Sequence, residues 1–294
     1  MAWVEVSLSV VREQADLAEQ ALEEQGALAI TFEDEADVPV LEPALGTAPL
    51  WPVVQIRGLF SLETNRSAVL AGLLNHALVS RPDALHWREV ADQDWERAWM
   101  DRFTAMQFGR KLWIVPTGMA GPEDDDAVLL HLDPGLAFGT GTHQTTALCL
   151  EWIDSLDFSG LSVLDYGCGS GVLGIAAALK GAASVSCVDN DPQALQATAD
   201  NAERNKVSHL VECYLPENWP AGHYDIVLAN ILARPLMELA PQLCASLKSR
   251  GQIVLSGVLE HQASEVAAAY AHKCGELQLA SREEWVRLHG QATS

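Results

Sequence analysis

The sequence predicts an α/β protein: a doubly wound, mostly parallel sheet preceded by a small α+β domain. Three observations predict it. From about residue 105, apolar strands alternate with helical segments to the end of the 294-residue chain. The run DYGCGSG, Asp165 to Gly171, closes one of those strands and opens a helix, and a carboxylate, Asp189, closes the next strand. The first 91 residues follow another order, βαββαβ, which folds back on itself.

Each element has its own signal. Residues 3–10 alternate apolar and polar side chains, as a half-buried strand does. Residues 14–25 place Leu17, Ala18, Ala21 and Leu22 at helical spacing, and Gly26 stops the helix. Strands follow at 27–32 and 53–60, separated by an acidic stretch with Pro39, Pro43, Pro49 and Pro52 that reads as a loop. A helix at 66–78 and a strand at 85–90 complete a ferredoxin-like sandwich over residues 1–91. Residues 92–104 read as a linker helix, capped by Asp92 or Asp94, with Trp95 and Trp99 on one face for packing. In the second domain, 105–294, strands are expected at 111–116 and 128–132 around an acidic loop. A helix follows at 143–153. Further strands lie at 162–165, 184–189, 210–214, 225–230 and 252–257, with a closing antiparallel pair at 276–280 and 284–289. Ligands of such sheets bind beyond the carboxyl ends of the strands, where Asp165, Asp189 and Asn230 stand.

Composition excludes several classes. The net charge is −22, from 40 acids against 18 bases, a field that repels phosphate backbones and draws cationic partners. Residues 1–91 carry fourteen acids, five arginines and no lysine, a poor surface for gripping RNA. A basic protein is therefore the expected partner, with no direct nucleic-acid binding and no oligomer signalled, hence a monomer. No apolar run is long enough to span a membrane, and the start MAWVEVSLSV lacks the basic opening of a signal peptide. The six cysteines form no C-x-x-C pair, so neither zinc nor a disulfide framework is indicated, and a reducing cytoplasm is expected.

The glycine run admits two cofactors. Read from Gly169 it is G-S-G-V-L-G, through Gly171 and Gly174, the dinucleotide fingerprint. That reading needs its first glycine directly after the strand, yet Asp165, Tyr166, Gly167 and Cys168 intervene. Read from Asp165 it is D-x-G-x-G-x-G, which resembles motif I of class I S-adenosylmethionine-dependent methyltransferases, with a Rossmann-like sheet. A strand-end carboxylate suits a sulfonium better than a pyrophosphate, which wants bare helix N–H groups. Asp165, Gly167, Gly169 and Asp189 are the resulting cofactor candidates, Asp189 for the ribose diol.

Two further stretches bear on chemistry. LDPGLAFGTGTHQTT, from Leu132 to Thr146, offers hydroxyls on a glycine-rich chain that could bond a charged methionyl end, with Thr145, Thr146 and Phe138 as candidate contacts. In the plainer alternative, Thr142 could cap the following helix and the rest would be a simple connection, and His143 alone signals no catalysis. ANILARP, from Ala229, ends a strand on Asn230, whose side-chain carbonyl could accept from a substrate N–H, as could the following backbone carbonyls to Leu232. Asn230 and Leu232 are the catalytic candidates. No Pro-Pro-aromatic follows Asn230, so nothing is in place to stack a flipped base, and an aliphatic amine is the more natural nucleophile.

Together, WVEVSL, DWERAWMDRF, LDPGLAFGTGTHQTT, DYGCGSG, VDNDPQA, NAERN and ANILARPL resemble the PrmA family across essentially the whole chain. The resemblance implies methylation of protein eleven of the large ribosomal subunit, on lysine side chains and the N-terminal α-amine. It also implies substrate recognition by the first domain and cofactor contacts at Thr146, with Thr145 beside it, Gly167, Asp189 and Asn230. The alternatives are a methyltransferase of nucleic-acid amino groups and a non-catalytic S-adenosylmethionine-binding protein.

Overall fold

A computed structural model of the chain describes residues 3–34, 51–79, 81, 85–90, 104–132 and 143–293. Two compact units emerge, Met1–Trp99 and Met100–Ser294. The expected linker helix and the proline-rich loop at 35–50 lie outside the described residues.

The first unit runs β1 (Trp3–Val11), α1 (Ala15–Glu24), β2 (Ala29–Asp34), β3 (Val53–Ser61), α2 (Arg66–Asn75) and β4 (His86–Val90). Its sheet has the order β2-β3-β1-β4 and is antiparallel throughout, the ferredoxin-like arrangement. The alternation read in β1 is borne out and β3 shows it too: Val4, Val6, Leu8, Val54, Ile56 and Phe60 are buried against Ala18, Leu22, Val69 and Leu73 of the two helices. Gly26, at φ 87°, ends α1, and its N–H donates to Glu23 O. Asn65 caps α2, its side chain accepting from Ser67 N and Ala68 N. The other sheet face carries Trp3, Glu5, Arg57 and Leu59 around a hollow of about 260 Å³.

The second unit opens with β5 (Met106–Phe108), β6 (Leu112–Val115) and β7 (Val128–His131). The three-residue β5 is too short for periodicity to reveal. It pairs antiparallel with β6, which pairs parallel with β7. Then follow α3 (Gln144–Asp154), β8 (Ser162–Tyr166), α4 (Val172–Leu179), β9 (Ser184–Val188), α5 (Pro192–Arg204), β10 (Val211–Tyr214), β11 (Tyr224–Asn230), α6 (Ala233–Ala245), β12 (Leu247–Leu259), α7 (Ala263–Cys274), β13 (Gln278–Arg282) and β14 (Trp285–Gln291). The seven-stranded sheet has the order β10-β9-β8-β11-β12-β14-β13, with only β14 running against its neighbours.

This is the class I methyltransferase fold, a Rossmann-like doubly wound sheet. Its strands are near-continuous apolar runs because both faces are covered. Val163, Cys187 and Leu228 pack against α3, α4 and α5, whereas Leu164, Val227 and Leu255 pack against α6 and α7. Helix α4, VLGIAAAL, is apolar on every side and buried for all but its last residue. From β8 the chain winds outward through β9 to β10, then returns to β11 on the other side of β8. The order reverses between β8 and β11, and a crevice opens there at the carboxyl ends.

Candidate functional site

At the end of β8 the backbone makes a turn that only glycine follows without strain. Gly167, Gly169 and Gly171 take φ of 75°, 55° and 77°. A Cβ on Gly167 would run into the Ile231 side chain. Gly167 N and Cys168 N both donate to Val188 O, at 2.7 and 3.1 Å, so the loop hangs from the end of β9. Gly174 serves packing instead: a Cβ there would meet Cys187 Sγ at 2.9 Å and Val185 Cγ1 at 3.0 Å.

Asp165 lies beneath the loop at 1% exposure, and its Oδ2 accepts from Gly174 N at 2.8 Å. Burial pushes its carboxyl up to about 7, against the pull of the Gly174 N–H and with added repulsion from Asp189. Asp189 is half-buried at the end of β9. It is the carboxylate expected to accept from a ribose diol. Its Oδ2 accepts from Gly169 N at 2.9 Å and its Oδ1 from Asp191 N at 3.0 Å. Each oxygen keeps further lone-pair capacity, so the carboxylate is oriented by the loop and can still accept.

Across the crevice, Asn230 closes β11, and its Nδ2 donates to Thr146 Oγ1 at 3.3 Å. That bond joins two motifs 84 residues apart. Thr145 and Thr146 are buried in the first turn of α3. The cap of this helix is His143, not Thr142: its Nδ1 lies 2.8 Å from Thr145 Oγ1 and accepts from Thr145 N. Thr142 and Phe138 lie outside the described residues. Leu232 is 53% exposed, and its carbonyl is the first acceptor of α6, bonded to Leu236 N at 3.1 Å.

The site therefore gathers Asp165, Gly167, Gly169 and Asp189 on one side and Thr145, Thr146 and Asn230 on the other, with Leu232 at the rim. The closing antiparallel pair was expected, but its contacts with the start of α3 were not. Gln144 Nε2 donates to Glu283 Oε1 at 2.9 Å, and the His143 ring meets Trp285 edge-on at 4.9 Å between centroids. Trp285 pairs with Leu259, at the carboxyl end of β12. Burial lowers the His143 pKa, only partly offset by Glu284 and Glu283. Trp219 was also missed. It packs edge-on against Tyr166 at 5.9 Å and donates to Tyr224 Oη at 3.0 Å.

Burial pushes the Cys149 and Cys213 thiols up to about 12 and about 11, far from thiolate character at neutral pH. Among the described residues no three His, Cys, Asp or Glu side chains gather as a metal site, and no helix is long and apolar enough to cross a membrane.

Comparison with known proteins agrees with this geometry. The model of the ribosomal protein L11 methyltransferase family, PrmA, matches residues 2–293. A protein of Pseudomonas aeruginosa (strain LESB58) called ribosomal protein L11 methyltransferase is 51% identical over 294 residues, covering 99% of each chain. One of the same name from Edwardsiella ictaluri is 49% identical over 291 residues, again across 99% of both. The crystal structure of a ribosomal protein L11 methylase from Lactobacillus delbrueckii subsp. bulgaricus is 30% identical, with a TM-score of 0.55 over 65% of this chain and 99% of that one. With a match over nearly its full length and half its residues shared with such relatives, the chain belongs to the PrmA family of ribosomal protein L11 methyltransferases.

Proposed function

We propose that this protein transfers methyl groups from S-adenosylmethionine to amino groups of ribosomal protein L11, the lysine side chains and the N-terminal α-amine. The observation that carries the reading is Asn230, fixed by Thr146 across the crevice from the glycine loop. With Nδ2 committed to Thr146, the Asn230 amide presents Oδ1, an acceptor, to an incoming N–H. Among the described residues nothing else bonds Oδ1.

The residues fit the cofactor. Positive-φ glycines bring bare backbone to the crevice, Asp189 suits a ribose diol, and the Thr145 and Thr146 hydroxyls suit a methionyl amine or carboxylate. Buried Asp165, in its ionised form, adds negative potential that favours a sulfonium. S-adenosylmethionine supplies an electrophilic methyl group, so the chain must deliver a neutral amine in line with it. Deprotonating a lysine of pKa about 10.4 at pH 7 costs about 4–5 kcal/mol, and an α-amine of pKa about 8 about 1.4. Desolvation in the crevice lowers the amine pKa. Orientation by Asn230 supplies much of the remaining rate, for which roughly 7–11 kcal/mol is available.

The first unit, with its linker at 92–104, binds the substrate protein. Its excess of acids and its open sheet face suit a basic partner, and the overall charge of −22 disfavours RNA. The enzyme works as a monomer in the cytoplasm, where its substrate is made. Mass spectrometry of purified L11 incubated with S-adenosylmethionine tests the proposal. The wild-type chain should add 14-Da increments (one per CH₂, about 14) to lysines and the α-amine, and Asn230→Ala should slow this about 100-fold or more. Methylation of RNA and not of L11 would refute it.

A further inference from the structure

The motif NAERN, at 201–205, plays no part in the chemistry above, yet it carries two of the few buried polar side chains in the protein. Asn201 and Asn205 are each 8% exposed, and Thr198, one turn earlier on α5, is fully buried. The three share one helical face. Thr198 Oγ1 donates to Gly169 O at 3.0 Å, and Asn201 Nδ2 donates to Ser170 O at 2.9 Å. The glycine loop is thus held from behind by its carbonyls, while the Gly169 N–H is taken by Asp189.

Asn205 reaches the other way. Its Oδ1 accepts from His131 N at 2.7 Å, and its Nδ2 donates to both His131 O and Asn201 O, each at 2.8 Å. Both donors of the amide and one of the two lone pairs of its oxygen are used. The pairing occupies a sheet edge. Leu132 N donates to Val115 O of β6, so the backbone groups of His131, one residue earlier, point away from β6. Asn205 fills that free edge at the last residue of β7, just before the chain departs towards Thr145 and Thr146.

We propose that Asn205 is a positioning residue for the cofactor site: one rigid face of α5 sets the spacing between the glycine loop and the point where the chain leaves β7. The proposal rests on the reading that this crevice binds S-adenosylmethionine. Asn205 touches no cofactor and acts through backbone it holds in register. Losing it releases the backbone of His131 from α5 and removes the bond to Asn201 O, so cofactor affinity suffers beyond the loss of stability.

The test is calorimetric titration of the full chain with S-adenosylhomocysteine, alongside melting temperatures and steady-state kinetics. Two variants, Asn205→Ala and Asn205→Asp, are set against a control of comparable destabilisation, Leu243→Ala, in the apolar cluster on the far side of the sheet. Asn205→Asp keeps the acceptor for His131 N–H and loses both donations, and it carries the test if the alanine variant does not fold. Both Asn205 variants should bind about tenfold more weakly and show KM for S-adenosylmethionine raised by a similar factor, with kcat within about twofold. Leu243→Ala should leave Kd within about twofold at an equal loss of melting temperature. Unchanged Kd in both Asn205 variants, or an equal rise in the control, would overturn the proposal alone. Failure of the wild-type chain to bind would overturn the cofactor reading as well.

Discussion

Among the described residues of the N-terminal unit, every buried side chain is apolar, from Val4 in β1 to Leu85 before β4. Around the crevice of the seven-stranded sheet the reverse holds: Thr145, Thr146, Asp165, Ser170, Thr198, Asn201 and Asn205 are all buried, on elements that adjoin the glycine loop or lead to it. An apolar core gains free energy from burial that depends little on direction, so many packings of similar volume serve it. Buried hydrogen-bonding groups gain little net free energy and cost much when misplaced, but they fix positions to a fraction of an ångström. The contrast teaches where the protein needs stability and where it needs placement.

Three substitutions can break or sharpen the contrast. The largest effect falls in the apolar unit. Phe60→Ala, at a fully buried site, should cost about 3–5 kcal/mol in urea unfolding while leaving affinity for S-adenosylhomocysteine unchanged. A large loss of affinity would show that the two units are not energetically separate.

Asp165→Asn should act with the opposite sign. The folded-state pKa is raised to about 7, so the folded protein favours the protonated acid. Stability from this group is full below the unfolded pKa of about 3.9 and is lost as pH rises towards 7, by up to about 4 kcal/mol. The amide variant cannot lose it. Its advantage over wild type should grow from pH 4 to pH 7 and then level off, accompanied by weaker cofactor binding. A constant difference across that range, measured by urea unfolding, would remove Asp165 from the list of groups that trade stability for function.

The smallest effect is again in the first unit. Asn65→Ala removes the cap from α2 and should lower stability by about 1 kcal/mol, with methyl transfer to L11 unchanged once the chain is folded. A fall in kcat at full folding would mean that the cap shapes a surface the substrate uses.

Much of this was legible in the amino-acid order. The first strand of the N-terminal sheet announced itself by alternation, and the parallel strands by apolar runs ending on Asp165, Asp189 and Asn230. The short β5 escaped because three residues carry no period. Helix α6 was obscured by Pro235 and Pro241, and the cap of α3 falls on His143, a residue type that seldom takes that place. The Asn230–Thr146 bond, the hairpin contacts of Gln144 and His143, and the Asn205 clamp on His131 had no local signal at all.

The sequence by itself determined which residues form strands and helices, where the backbone must take positive φ, and which strand ends carry a carboxylate or an amide. These follow from periodicity, from the missing Cβ of glycine and from side-chain chemistry, all of them local. Only the tertiary structure decided what those side chains do there: that Asp189 spends hydrogen bonds on Gly169 and Asp191, that Asp165 is buried until its pKa nears 7, and that Asn205 spans 74 residues to hold His131. Such roles depend on burial and on distances between groups remote in the chain, and sheet order, which sets both, is fixed by the packing of the whole second unit.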